Sequence, residues 1–262
     1  MRSQIEISEA AVNEYLRGAA TVRVYECVSS TNTLLKEAAE SGAPHGTVIV
    51  AREQTGGRGR MGRSFHSPRG TGLYLSILVR PELAADDVLL ITPLTAVALC
   101  QALEGAGCHV PQIKWVNDIY VGEKKAAGIL VEGAVTPDGK IGYAVVGIGI
   151  NLYSPDGGFP DDISRIACGA FDGTETKIDG NRLVSDIIDN FLSLFNALPH
   201  RGFMDEYRRR SYLLGKPVTV TRGDSEFVGI AAEIDDSARL SVDCEDGIRR
   251  TFDSGEARVR TK

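Results

Sequence analysis

Apolar and polar positions alternate from Thr21 to Val28, the period of a half-buried strand. Ser30-Thr31-Asn32 then offers capping side chains to a helix carrying Leu34-Leu35-Lys36-Glu37-Ala38-Ala39, which stops near Gly42 and Pro44. Thr47 to Ala51 is β-branched and predicts a second strand, and Leu73 to Val79 a third. Between them, Gln54 to Gly72 holds six glycines and four arginines. That composition cannot build a core element, so the segment is predicted as a mobile loop. Asp86 to Glu104 predicts a long, largely buried helix.

Four further strands are predicted at Ile113 to Trp115, Ile119 to Val121, Ala127 to Val135 and Ile141 to Ile150. Pro137-Asp138-Gly139 marks a tight turn between the last two. Helical spacing returns at Arg182 to Leu198 and Phe203 to Leu213. After Lys216 the rhythm changes. Short β runs at Val218 to Thr221, Phe227 to Ile234, Leu240 to Cys244 and Ile248 to Phe252 are separated by polar turns, the pattern of a small barrel. A boundary near Leu213 is predicted, giving a domain over 1–213 and a second over 214–262.

With 262 residues, 43% hydrophobic and 24% charged, the chain can bury an ordinary core without metals or disulfides. The net charge of −6 argues against a nucleic-acid binder. The start of the chain shows no signal peptide, and no apolar run is long enough for a membrane span. Five scattered cysteines without C-x-x-C spacing indicate reduced thiols, and the compartment expected is the cytoplasm.

Four segments could carry chemistry. Gly56-Gly57-Arg58-Gly59-Arg60-Met61-Gly62-Arg63 joins bare backbone to fixed positive charge, which suits a polyphosphate or acyl-phosphate. It is neither a Walker A loop nor a dinucleotide fingerprint, and a flexible linker or RNA-binding segment is the plainer alternative. Lys114-Trp115-Val116-Asn117-Asp118 joins an amide to a carboxylate able to help hold Mg²⁺, although a turn with one buried aromatic has the same look. Lys125 leads into the apolar strand Ala127-Gly128-Ile129-Leu130-Val131-Glu132 and can neutralise charge developing on a phosphate, or be a solvated hairpin lysine; Glu132 reads as an edge charge. In Gly147-Ile148-Gly149-Ile150-Asn151, alternate glycines clear one strand face for a flat ligand, or allow a bulge.

Together, in this order and separation, these segments resemble the biotin–protein ligase family over nearly the whole chain. The resemblance implies an α+β fold: a mixed β-sheet with helices packed on one side, plus a small C-terminal SH3-like β-barrel. It implies an enzyme that uses ATP to convert biotin to biotinyl-AMP, releasing pyrophosphate, and then transfers biotin to a lysine of a biotin carboxyl carrier domain. Mg²⁺ would assist. The catalytic pattern begins within the first 30 residues, which implies the form without a DNA-binding domain. Open sheet edges leave a homodimer possible in principle.

The resemblance also assigns residues. Ser30, Thr31, Asn32, Gln54, Gly57, Arg58, Arg60, Lys125, Gly128 and Gly149 would hold biotin. Arg60, Arg63, Phe65, Lys114, Asn117 and Asn151 would face ATP or the adenylate. Lys125, Arg58 and Arg60 would be catalytic, and Asp118 would be the Mg²⁺ carboxylate. Two residues depart from the family pattern. Val116 stands where Pro is usual, and Phe65 where Trp is common, which keeps a stacking face but loses the indole N–H. Two rivals share some of these features: a lipoate or octanoate transferase, which shares the catalytic fold, and a non-catalytic binder of the adenylate.

Overall fold

The computed structural model describes residues 5–81, 85–136, 141–173 and 177–260. Its helices are α1 (Glu9–Tyr15), α2 (Thr31–Glu40), α3 (Ala85–Val88), α4 (Ile91–Gly105), α5 (Gly180–Asn196) and α6 (Phe203–Arg209). Its first strands are β1 (Thr21–Tyr25), β2 (Thr47–Ala51), β3 (Gly72–Val79), β4 (Gln112–Lys114), β5 (Asp118–Val121), β6 (Lys124–Val135) and β7 (Ile141–Asn151). These form a seven-stranded sheet in the order β1-β2-β3-β7-β6-β5-β4. Only β1 and β2 are parallel, so the sheet is mixed as expected. The last strands, β8 (Pro217–Arg222), β9 (Ser225–Ile234), β10 (Leu240–Cys244), β11 (Arg249–Phe252) and β12 (Glu256–Val259), make a five-stranded antiparallel sheet.

The period of two decides what each face of the large sheet does. Val48, Val50, Leu73, Leu75, Ile77, Val146, Ile148 and Ile150 point to one face and join the main core with α4 and α5. Ile49, Leu78, Tyr143 and Val145 point to the other, where Leu35 and Ala39 of α2 cover them. Most helices thus lie on one side, while α2 covers part of the second face. The rest of that face is left for a cleft.

Several boundaries differ from expectation for identifiable reasons. The single helix predicted over 86–104 is two, because the chain turns at Leu89-Leu90 and restarts with Pro93 in the first turn of α4, where a missing N–H costs no helical bond. The predicted first strand ends at Tyr25, and Val28 makes only an isolated bridge to Gln54. The last predicted helix stops at Arg209, and Ser211 bridges Ile113. The sequence reading missed α1 and β12. The turn at Pro137-Asp138-Gly139 lies outside the described residues.

The chain's one tryptophan ties the two sheets together. Trp115 is 4% exposed and its Nε1 donates to the Ala238 carbonyl at 2.8 Å. Arg208 reinforces this junction by donating to the Ile234 carbonyl at 2.7 Å. Among the described residues, no helix is long and apolar enough to cross a membrane.

Candidate active site

The uncovered part of the second face is a narrow, partly open cleft. Its floor is glycine. Gly147 and Gly149 of β7 lie beside Leu130 and Gly128 of β6 in the register of the sheet. Side chains there would fill the space above: a Cβ on Gly149 would come within 2.7 Å of the Phe65 ring, and one on Gly147 would strike Asn32. The cleared strand face read from the sequence is therefore present.

Lys125 reaches this floor through a β-bulge. Simple alternation from Gly128 would turn an odd-numbered residue toward the core. The pairing of β5 with β6 shifts register, so that Tyr120 faces Lys125 while Ile119 faces Ala127, and Lys125 joins the face of Asp118 and Gly128. Its backbone is pinned by bonds to the Ile166 carbonyl and from the Cys168 N–H. Its ammonium lies 2.7 Å from Asp118 Oδ1, and a Cβ on Gly128 would be 3.0 Å from it. Phe65 lies over the same floor, edge-on to Tyr74.

The arginine-rich segment is not the structureless loop expected. Arg58 bridges Ser64, Gly59 N–H donates to the Arg63 carbonyl at 2.7 Å, and Phe65 N–H to the Gly57 carbonyl at 2.9 Å. The result is a short hairpin turning at Met61 and Gly62, both at positive φ. Gly57 serves this fold and does not line the cleft: a Cβ there would collide with the Phe65 carbonyl and Ser67. The hairpin directs Arg58 and Arg60 into the cleft.

The closed end of the cleft is polar and buried. Ser30, the N-cap of α2, is 4% exposed, as are Thr31 and Asn32 in the first turn. A continuous series of hydrogen bonds lines this wall. Arg58 lies 3.2 Å from Glu132, which accepts from Asn32 Nδ2 at 2.9 Å. The Ser76 hydroxyl lies 2.6 Å from Asn32 Oδ1 and 2.7 Å from Thr31 Oγ1. Thr31 donates through N–H and hydroxyl to Gln54 Oε1 at 2.9 and 3.1 Å. Gln54 Nε2 donates to Ser67, which donates to the Phe65 carbonyl, back in the hairpin. On the open side a second series joins Arg60 to Asn117 Oδ1 at 2.8 Å, then Asn117 Nδ2 to Asp118 Oδ1 at 3.0 Å, and so to Lys125.

Ser30, Thr31, Asn32, Gln54, Arg58 and Arg60 are thus brought together, with Phe65, Asn117, Lys125, Gly128 and Gly149. Four other residues singled out in the sequence lie outside the cleft. Asn151 is buried one step beyond Gly149, opposite Gly72. Asp118 stands behind Lys125. Lys114 donates to the Tyr120 hydroxyl at 3.2 Å, and burial pulls its pKa down. Arg63 forms a two-point ion pair with Glu256 of β12, at 3.1 and 2.6 Å. Lys114 feels Arg63, Glu256 and Arg258 as neighbouring charges, so these groups gather where the two sheets meet.

Glu132, Ser76, Ser67 and Glu256 were not found as site residues from sequence. Their partners are remote along the chain, and the one available signal was that Glu132 and Gly128 occupy the same strand face. Among the described residues, no three His, Cys, Asp or Glu residues cluster to hold a metal. Asp118 offers a single carboxylate, already beside an ammonium, so it fits magnesium only as a minor ligand to an ion held chiefly by phosphates.

Residues 24–151 match the Biotin/lipoate A/B protein ligase family, and residues 213–260 the Biotin protein ligase C terminal domain. The biotin–[acetyl-CoA-carboxylase] ligase of Mycobacterium tuberculosis is 31% identical over 255 residues, covering 90% of each chain. This chain belongs to the biotin protein ligase family. The bifunctional ligase/repressor BirA of Bacillus subtilis is 33% identical over 231 residues, spanning 87% of this chain and 71% of that one. A biotin protein ligase from Aquifex aeolicus, solved in complex with biotin and ATP, superposes with a TM-score of 0.78 at 25% identity, covering 92% and 99%. The mixed sheet with its helices and the C-terminal antiparallel sheet are the architecture of the family's solved members.

Proposed function

We propose that this protein joins biotin to ATP to give biotinyl-AMP and pyrophosphate, then passes the biotinyl group to a lysine of a biotin carboxyl carrier domain. The observation that carries this reading is the convergence of Lys125, Arg58 and Arg60 on a glycine floor closed at one end by a polar wall. A bicyclic acid with a planar cyclic urea fits over glycine without steric cost, and that urea, with two donors and an acceptor, suits the Thr31, Asn32 and Gln54 groups of the wall.

The first step brings anions together. The biotin carboxylate attacks the α-phosphorus of ATP, a P–O bond to pyrophosphate breaks, and a mixed anhydride forms. Lys125 and Arg60 supply positive charge where the pentavalent phosphorus gathers negative charge. Asp118 holds the Lys125 ammonium in place, and Asn117 does the same for Arg60. The departing phosphates extend toward Lys114 and Arg63, and Phe65 provides an aromatic face beside the adenylate. Asp118 would be the carboxylate available to an Mg²⁺ ion arriving with ATP, which would offset phosphate charge. In the second step the carrier's lysine amine attacks the anhydride carbonyl, the new C–N bond forms, AMP leaves, and the amine's proton is lost to solvent. Catalysis is by positioning and charge, with no covalent enzyme intermediate.

We also assign residues 1–213 to the catalytic unit and 214–262 to an SH3-like domain, supported by the separate sheets and the C-terminal family match beginning at residue 213. We also assign the cytoplasm as the protein's compartment, in keeping with five free cysteines.

The test is exchange of labelled pyrophosphate into ATP, measured with biotin, lipoate or octanoate as the acid. Exchange with biotin alone is expected. Exchange with lipoate or octanoate instead would transfer the site to the sister ligases, and none with any acid would leave a non-catalytic binder.

A further inference from the structure

Glu132 was read from sequence as an edge charge, yet its side chain is only 17% exposed and three groups converge on it. Arg58 approaches at 3.2 Å, Lys36 of α2 at 3.6 Å and Asn32 Nδ2 at 2.9 Å. Among the side chains of the wall described above, the carboxylate is the one that only accepts hydrogen bonds. That asymmetry sets the sense of everything joined to it. Asn32 turns its NH₂ toward Glu132 and the Leu130 carbonyl, which presents Asn32 Oδ1 to Ser76. The Ser76 hydroxyl, 2.6 Å away, then gives its one proton to Asn32. The same carboxylate holds the guanidinium of Arg58, whose half-exposed side chain otherwise has many rotamers to explore.

We infer that Glu132 is a positioning residue for acid recognition: it fixes Arg58 over the cleft and sets the donor–acceptor order of Asn32 and Ser76 in the wall. This inference rests on the biotin-activating reading. It concerns how the enzyme holds its acid, and leaves the phosphoryl chemistry to Lys125 and Arg60. The functional consequence is specific. A ring urea presents donors and an acceptor in a fixed order, and a wall whose own order is free to reverse binds it less well.

Glu132→Gln keeps the shape of the side chain, removes its charge and places an NH₂ against two donors. In pyrophosphate exchange, the KM for biotin is expected to rise about tenfold, as for loss of one charge-assisted hydrogen bond. The kcat at saturating biotin and the KM for ATP should change by less than about threefold, since no transition-state contact is removed. A merely structural role would lower kcat or folded yield without this split. Arg58 supplies the second readout: in an Arg58→Ala background, Glu132→Gln should raise the biotin KM by less than it does in wild type, because one of the two partners it positions is gone. Glu132→Asp, which keeps the charge on a shorter arm, should fall between wild type and Gln.

An unchanged biotin KM in Glu132→Gln, a loss confined to kcat, or full multiplication of the Arg58 and Glu132 effects would overturn the inference. Should the Gln variant not fold, Glu132→Asp carries the same test: a raised biotin KM, smaller in the Arg58→Ala background, supports it, and a wild-type KM sinks it. Wild-type protein with no biotin-dependent exchange would instead count against the functional reading.

Discussion

Glu256→Gln isolates the link between the arginine hairpin and the C-terminal sheet. Arg63 holds Glu256 at two points and, with Arg258, brings the carboxyl from 4.5 to about 2 against an opposing desolvation cost. At about 1.36 kcal/mol per pH unit, that depression corresponds to an upper figure of about 3 kcal/mol. Glu256 is 25% exposed but Arg63 is 59% exposed, so solvent screening reduces the expected contribution to about 1 kcal/mol. For a chain of this size the variant should melt about 2–4 °C below wild type at pH 7. The pH dependence has a definite sign. A carboxyl whose folded pKa lies below its unfolded value stabilises above the unfolded value and ceases to do so as pH falls through the folded one. The difference between wild type and Glu256→Gln should therefore persist from pH 7 to about 5 and shrink to less than about half its size by pH 3. Calorimetry of both proteins across that range measures it. A difference that stays constant down to pH 3, or none at pH 7, would refute the assignment of this stability to the ionised carboxylate.

Three further outcomes are expected. Lys125→Ala should lower kcat for biotin-dependent exchange by at least about 100-fold with little change in melting temperature, since the ammonium supplies charge stabilisation at the reacting phosphate; near-wild-type turnover would remove Lys125 from the mechanism. Gly149→Ala sets a methyl 2.7 Å from the Phe65 ring and should raise the biotin KM by about tenfold or more, one to two kcal/mol of overpacking, read from initial rates against biotin concentration. Trp115→Phe deletes the donor to the Ala238 carbonyl and should cost about 1–3 kcal/mol, seen as a lower urea midpoint, while leaving the biotin KM within about twofold.

Legibility in the sequence followed the range of the interactions involved. Gly147 and Gly149 could be read as a cleared face because strand alternation is local, and the helix cap at Ser30 announced itself for the same reason. Arg58 and Arg60 were visible as concentrated charge, although the hairpin that aims them was not: its bonds between Arg58 and Ser64 depend on glycines that, in sequence, look like flexibility. The bulge that turns Lys125 toward the cleft also escaped, since a bulge is a mismatch between two strands and neither strand records it alone. Partnerships across long separations were invisible. Asn32 and Glu132 lie 100 positions apart, and Arg63 and Glu256 lie 193 apart. The contact of the Lys114 side chain with Tyr120, at the junction of the sheets, was likewise not legible in the motif.

A floor of glycine can be filled but never deepened. At Gly128, Gly147 and Gly149 there is no side chain left to trim, and directly beneath them Ile129, Ile148 and Ile150 already belong to the core. Any broadening of this pocket toward bulkier acids must therefore come from above or from the flank, by shortening Phe65 or Leu130, both of which line it. Narrowing is the easier direction, since each glycine offers a place where one methyl subtracts space. The architecture thus makes selectivity asymmetric: single substitutions exclude acids readily, and admitting larger ones requires remodelling the roof.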